Sequence, residues 1–331
     1  MKKTLILLLI LILVLSCFAG CSDINTESAT NAIGTVYKVG INQYGEHSSL
    51  DNCRLGFIEG LKQAGIVEGK NLVINYQNAG FNDNTAMQIA QSFSGNNVDI
   101  MCGIATPAAT ACFAAAEDKD IPVIFTAISD PVQAKLVEGN ITGSSDKLPV
   151  AAQLDLIRKI QPDAQKIGII YTNSEPNSVS TIEEYKKIAP NYGFEIIAAS
   201  VTAQSEVTIA VDKLIKDKVD CFSNLTDNNV VGVLDSILEK TNAANIPVYG
   251  SEIEQVKKGC LASAGIDYFA LGVETGKLAA KILYKQATAT ELDYITVDEY
   301  GYYVNMETVN AMKITINNDL LATLTDVTKE Q

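Results

Sequence analysis

Thr106-Pro107-Ala108-Ala109 combines a threonine able to cap a helix, a proline suited to the first helical position, and two small residues that let a ligand approach free backbone N–H groups. A helix start of this kind favours an anion, and a carboxylate fits it as well as a phosphate does. Four acids, Asp130, Glu175, Asp227 and Glu252, fall just after strand-like runs, and one or two of them could hold an ammonium group by charge-assisted hydrogen bonds. Singly, each is an ordinary cap or a solvated loop carboxylate. Together with the anion-friendly helix start they point to a zwitterion, an α-amino acid. Asp227 is the leading ammonium ligand, because it follows its strand at the position equivalent to the Thr106-Pro107 turn in the other half of the chain.

Other chemistries find less support. The chain has no tryptophan to stack on a sugar ring, and its only arginines, Arg54 and Arg158, lie away from strand ends, so a bidentate clamp for phosphate is missing. No HExxH, GxSxG, Walker or GxGxxG sequence occurs, and the only histidine, His47, has no evident triad partner and reads as a surface or rim residue. No catalytic residue, cofactor or metal site is expected. Of seven cysteines, Cys53, Cys102, Cys112, Cys221 and Cys260 remain once Cys17 and Cys21 are set aside; none forms a CxxC pair, and most lie in apolar runs where cysteine acts as a small hydrophobe.

The elements that must position these loops alternate in type. Runs 36–42, 72–76, 99–104 and 123–128 are β-branched and strand-like, with helical stretches at 51–63, 85–94 and 106–118 between them. The rhythm restarts with strands at 166–172, 195–201, 220–226 and 246–251 and helices at 178–192, 206–217 and 229–243. The halves match in detail. Lys38-Val39-Gly40-Ile41 answers Lys166-Ile167-Gly168-Ile169, Gly65 answers Gly193 as a helix-ending glycine, and Ile121-Pro122-Val123 answers Ile246-Pro247-Val248. The expected fold is therefore α/β, with two doubly wound parallel-sheet lobes.

In such sheets ligands bind beyond the carboxyl ends of the strands. The candidate ligand-binding residues are Gln43, Tyr44, Thr106, Pro107, Ala108, Ser129, Asp130, Glu175, Asn177, Ser178, Asp227, Asn228, Ser251 and Glu252. Tyr44, Phe125, Tyr171 and Phe222, at or near strand ends, could line an apolar or aromatic pocket, although aromatic residues on strands more often serve the core.

The N-terminal region carries a different signal. Lys2 and Lys3 precede an apolar run over 5–15 and then Phe18-Ala19-Gly20-Cys21, the order of an export signal. It resembles a bacterial lipoprotein signal, with residues 1–20 removed and a lipid on the Cys21 thiol. Residues 21–35 are small and polar and read as a flexible linker. Net charge is −14, and −16 from Cys21 onward because residues 1–20 carry two lysines and no acid. Such a surface disfavours nucleic acid.

At the strand-end loops the chain resembles the substrate-binding lipoproteins of an ABC importer family with the type I periplasmic-binding-protein fold. The similarity runs from Val36 to about Asp319 and is most specific at Ile104-Ala105-Thr106-Pro107-Ala108-Ala109, in the stretch Phe125 through Val132, at Asn140-Ile141-Thr142-Gly143, at Asn173 through Ser178, and at Thr226-Asp227-Asn228. Lys135 departs from it, standing where a small, glycine-like residue is expected. Members with assigned ligands are associated with aromatic amino acids. The resemblance implies a three-segment hinge, with crossovers near 142–149, 259–265 and 290–300. The lobes would then comprise 36–143 plus 264–290 and 144–263 plus 291–331. It also implies a lipid-anchored, extracytoplasmic monomer delivering its ligand to an ABC permease and ATPase. A sensory or adaptor lipoprotein of the same fold, presenting its ligand-bound form to a signalling receptor, is the alternative.

Overall fold

The β-branched runs pair as parallel strands because the helical stretches between them are long enough to cross from one strand edge to the next. In the computed structural model, which describes residues 35–296 and 300–329, the first half runs β1 (Tyr37–Gln43), α1 (Ser48–Gln63), β2 (Leu72–Asn78), α2 (Asp83–Gly95), β3 (Ile100–Ile104), α3 (Thr106–Ala116), β4 (Val123–Thr126) and β5 (Ile141–Ser145). The second half runs α4 (Val150–Ile160), β6 (Lys166–Thr172), α5 (Pro176–Ile188), β7 (Glu195–Val201), α6 (Gln204–Lys216), β8 (Cys221–Ser223), α7 (Asn228–Val231), α8 (Leu234–Ala243), β9 (Val248–Tyr249), α9 (Ile253–Lys257) and β10 (Ala262–Gly265). The remainder is α10 (Tyr268–Leu283), β11 (Ile295–Thr296), β12 (Gly301–Val304), α11 (Met306–Ala311), α12 (Asn318–Leu321) and β13 (Thr325–Asp326). The export signal, Cys21 and nearly all of the linker lie outside the described residues.

Two sheets result. The first has the order β11-β5-β4-β3-β1-β2 and is parallel in every pairing. The second has the order β7-β6-β8-β9, also parallel, so its first strand takes the same central place as β1. Hydrogen bonds from Leu261 N to Val248 O (2.7 Å) and from Gly250 N to Ala262 O (3.0 Å) continue this sheet through β10 into β12 and β13. The paired glycines sit alike: Gly40 leaves room for the Phe93 ring and Gly168 for Val219, and Gly65 and Gly193 both close helices at positive φ, 89° and 74°. Lys135 is at φ 57°, which explains why a small residue is expected there.

Each sheet buries both faces, which is why the strands read as nearly continuous apolar runs. Within β6 and β8 the side chains alternate: Ile167, Ile169 and Cys221 join one core layer, Ile170 and Phe222 the other. The first sheet packs Val39, Ile41, Met101 and Phe125 with Phe57 of α1 and Leu271 of α10 in a single core. Helices α1 and α10 cross at backbone contact. A Cβ on Gly60 would meet Val273 O at 2.1 Å and one on Gly272 would meet Cys53 O at 2.1 Å, so glycine is required at both.

Strand pairing and packing bear on the three crossover segments. Ser144 and Ser145 pair with Ile295 and Thr296, so 141–145 is a strand of the first sheet and the chain leaves that sheet after Ser145. Ala264 and Gly265 pair with Tyr302 and Gly301 in the second sheet, and only from Ile266 does the chain rejoin the first core. Leu292, Tyr294 and Ile295 pack on the first core, and Ile295 and Thr296 pair with β5 of the first sheet. The single helix expected over 229–243 is broken into α7 and α8 at Gly232-Val233, where Gly232 packs against Gln204 and Phe81.

Candidate functional site

The loops after β1, β4, β5, β8 and β9 and the start of α10 converge on one small cavity of ≈ 10 Å³, about enough for a single water. His47, Ser49, Leu50, Ala127, Asp146 and Tyr268 contribute from the first sheet's side, and Thr226, Asp227, Asn228, Val231, Ser251, Glu252 and Gln255 from the second's. Direct bonds tie the two sides: Ser49 Oγ donates to Glu252 Oε1 (2.9 Å), Ser129 Oγ and Thr226 Oγ1 lie 2.7 Å apart, and Ser180 Oγ donates to Asp130 Oδ2 (2.5 Å).

Three buried carboxyl groups, Asp146, Asp227 and Glu252, line this cavity, and a fourth, Glu175, is bonded to Asn228 of its wall. Glu175 Oε1 accepts from the backbone N–H (3.2 Å) and Nδ2 (3.0 Å) of Asn229, and its Oε2 from Asn177 Nδ2 (3.1 Å) and the N–H (3.1 Å) and Nδ2 (2.7 Å) of Asn228. Asp227 caps α7: its Oδ1 accepts from Val230 N (3.0 Å) and Thr172 Oγ1 (2.9 Å), its Oδ2 from Thr172 N (2.5 Å). Burial, with Asp227 as a neighbouring negative charge, pushes the Glu175 carboxyl up to about 8; burial also raises that of Asp227. The solvated loop acid expected at Asp227 is thus a fully buried cap, because α7 needs acceptors for its first N–H groups.

Glu252 caps α9 through Glu254 N (2.6 Å) and Gln255 N (3.0 Å), and burial lifts it to about 7. Asp146 accepts from Ser129 Oγ (2.9 Å) and from the Tyr268 hydroxyl, and burial raises its carboxyl too. Among the described residues, no lysine or arginine pairs with any of the four. The site is a buried concentration of acid without a protein cation, and a cationic group entering it would gain the attraction that the carboxyls lack.

His47 is not a rim residue. It is 8 % exposed, and its ring lies flat against Phe81, with centroids 6.4 Å apart and planes 11° apart. Neither ring nitrogen makes a well-formed hydrogen bond, although the Asn228 side chain lies beside it, and burial holds the imidazole neutral down to about 4. Phe81 in turn meets Tyr44 edge-on at 6.0 Å.

The other expected residues divide. Ser251 lines the cavity and accepts from Gln255 Nε2 (2.7 Å); Asn177 and Ser178 support the acid pair from α5. Tyr44 donates to Asp83 (2.8 Å) and lies within reach of the charges of Glu175 and Asp227. Gln43 turns away, engaged by Gly45 O (2.7 Å), Asp51 (2.9 Å) and Arg54 (3.1 Å). Asp130 accepts from Gln133 N (3.0 Å) as well as from Ser180, so it is a turn cap and a clasp.

Thr106, Pro107 and Ala108 start α3 outside the cavity wall, yet Thr106 Oγ1 is buried without a partner. The flanking backbone is strained, with Ala105 at φ 75° and Ala127, at the end of the next strand, at φ 60°. Ser49, Asp146 and Tyr268 carried no motif. Only the Asp267 cap before Tyr268 marked a helix start facing the same loops.

Comparison with known proteins bears on this geometry. The family model for ABC transporter substrate binding proteins matches residues 38–328. A tyrosine-binding protein of Clostridioides difficile is 34% identical over 322 residues, spanning 94% of this chain and 92% of the relative. The structure of an ABC domain from Streptococcus pneumonia in complex with L-Trp is 30% identical and superposes with a TM-score of 0.83 over 88% of this chain and 100% of that one. The ligand-free, open structure of a Clostridium difficile substrate binding protein with adhesive properties is 34% identical but superposes at only 0.66, over 88% and 99%.

Proposed function

The chain belongs to the ABC transporter substrate-binding protein family, and from that premise we propose that it captures an aromatic amino acid outside the cell membrane and delivers it to an ABC permease and its ATPase. The observation that carries this reading is the pair Glu175–Asp227, two buried and electrostatically coupled carboxyl groups of which Asp227 lines the cavity, with no lysine or arginine paired to either among the described residues. An α-ammonium group placed there is held by charge-assisted bonds and relieves the repulsion between them. Asp227 is the direct ligand, because it lines the cavity, whereas Glu175 does not and has five donors on its oxygens. The α-carboxylate goes to the start of α3, where the unpartnered Thr106 hydroxyl and the free N–H groups of the first turn await an acceptor.

A cavity of ≈ 10 Å³ excludes an amino acid, so loading requires the two sets of loops to separate. The closer superposition on the tryptophan-bound relative than on the open one, at lower identity, supports a closing motion of this kind. The lobes that move are, in this reading, residues 36–145 with 266–296 against 146–265 with the segment from 300 onward, hinged at the three crossovers. The protein acts as a monomer tethered through a lipid on Cys21.

A thermal-shift screen of the twenty amino acids with sugars and nucleosides tests the reading. A ligand at a hundredfold excess over its dissociation constant adds about 2.7 kcal/mol to stability. Stabilisation by tyrosine or tryptophan is expected, and stabilisation by a sugar with no response to any amino acid would refute it.

A further inference from the structure

We infer that His47 selects the ligand's side chain, its imidazole meeting the hydroxyl or ring N–H of an aromatic amino acid and so favouring tyrosine-like or tryptophan-like side chains over that of phenylalanine. The inference rests on the reading of the chain as an aromatic amino-acid receptor and deepens it by naming a specificity-determining residue.

His47 is more than nine-tenths buried, lines the cavity, and leaves both ring nitrogens without a well-formed hydrogen bond. Buried polar groups are nearly always paired, so an imidazole at a cavity wall whose only polar partner among the described residues is the Asn228 side chain, in poor bonding geometry, marks a place where something else supplies a partner. The ring is also aimed rather than free. It stacks on Phe81, which is held at φ 59° with its ring filling the space where side chains at Gly45 and Gly232 would lie. Gly45 belongs to the first sheet's loops and Gly232 to the second's, so elements from both sheets fix the plane of the imidazole.

The charges of an amino acid are satisfied elsewhere, the ammonium at Asp227 and the carboxylate at the start of α3. His47 is neutral near pH 7, feels the charges of Asp51 on the helix that follows it and of Lys258, with Asn228 beside it, and adds no charge to either end of the ligand. What it offers is one N–H donor and one nitrogen acceptor. A phenol can serve either and an indole N–H can serve the acceptor. A phenyl ring serves neither and leaves the imidazole unpaired after closure. The hydrogen-bonded pair Ser49–Glu252 lines the same cavity, so this end suits a polar-tipped side chain rather than a fully apolar one.

The test compares tyrosine, tryptophan and phenylalanine binding to the purified protein and to its His47→Phe and His47→Gln variants by calorimetry. The chain contains no tryptophan, so tryptophan binding is also read from the ligand's own fluorescence. The parent should bind tyrosine or tryptophan at least about tenfold more tightly than phenylalanine, and His47→Phe should narrow the ratio to within about threefold. His47→Gln, which keeps a donor and an acceptor, should retain an intermediate preference. The same ratio in His47→Phe as in the parent would overturn the inference, as would an equal loss for all three ligands with His47→Gln no better than His47→Phe. If the parent binds none of the three, the receptor reading itself fails, an outcome visible before any variant is made.

Discussion

Glu175 and Asp227 divide three consecutive backbone N–H groups between them: those of Asn228 and Asn229 donate to Glu175, and that of Val230 donates to Asp227. One short helix start therefore holds two carboxylates from different loops in the same buried place. Its N–H groups partly offset the cost of burying them, but the mutual repulsion remains. This arrangement gives Asp227 two tasks, because the carboxylate proposed to receive an ammonium group also holds α7 against Thr172 of β6.

Asp227→Asn should accordingly lower both affinity and stability. The amide nitrogen would face the N–H of Thr172 or of Val230, replacing an acceptor by a donor, at a cost of about 1–3 kcal/mol. Urea unfolding of the ligand-free variant measures this, and calorimetry with tyrosine measures the binding loss, expected at about 2–5 kcal/mol. Parent-like unfolding would show that the cap carries no energy, and parent-like binding would move the ammonium site elsewhere.

Protonation of Glu175 should couple to stability with a definite sign. Its carboxyl is raised from 4.5 to about 8, so the folded protein holds the proton more tightly than the unfolded chain. The resulting stabilisation is fully present below pH 4.5 and is lost as pH rises through 8. Melting temperature without ligand should fall between pH 6 and pH 8.5, at most by about 1.4 kcal/mol of stability per pH unit from this group. Glu175→Gln should flatten that fall. Binding of an ammonium ligand near pH 7 should release up to about one proton, seen as a dependence of the calorimetric heat on buffer ionisation enthalpy. Equal heats in phosphate and Tris would contradict it.

The α1–α10 crossing should be intolerant of a single methyl group. Gly60→Ala places a carbon 2.1 Å from Val273 O, which forces the helices apart at a cost of about 1–3 kcal/mol. Because α1 carries Ser49 and α10 carries Tyr268 into the site, ligand affinity should fall with it. Gly95→Ala, at the end of α2 with nothing within 4 Å, should instead stabilise by about 0.5–1 kcal/mol. Denaturant unfolding of the two variants separates the cases, and equal effects would refute the close-packing account.

Much of the fold was legible because buried parallel strands are written as β-branched runs punctuated by glycine and proline, as at Val39 to Ile41 and Ile167 to Ile169. Strand β5 was not, since Gly143-Ser144-Ser145 looks like a hinge; the glycine is there because a Cβ would strike Phe125 O at 2.1 Å, and the Ser144 hydroxyl is buried against Thr126 and Thr275. Asp227, Asn228, Ser251 and Glu252 could be placed near one another by the rule that loops follow strands. That the acids are buried caps could not, because whether a loop acid is solvated depends on helices packed over it from distant segments. His47 was misplaced for the same reason: its burial comes from Phe81, thirty-odd residues away, and from Asn228 in the other half.

The proposed anchor has its own check. Cys21 should be the mature N terminus and carry acyl chains, detectable by mass spectrometry of membrane-extracted protein. A mature N terminus at another residue, or unchanged membrane association in Cys21→Ala, would remove the tether from the account.

The central claim is that this acidic, closing site receives the ammonium group of an aromatic amino acid. Titration of tyrosine and of its deaminated analogue, 3-(4-hydroxyphenyl)propionate, into the purified protein tests it most directly, since the two ligands differ only in the group said to meet Asp227. The account predicts saturable binding of tyrosine and a loss of about 2–5 kcal/mol, some thirtyfold or more, for the analogue. Equal affinity for the two compounds would contradict it.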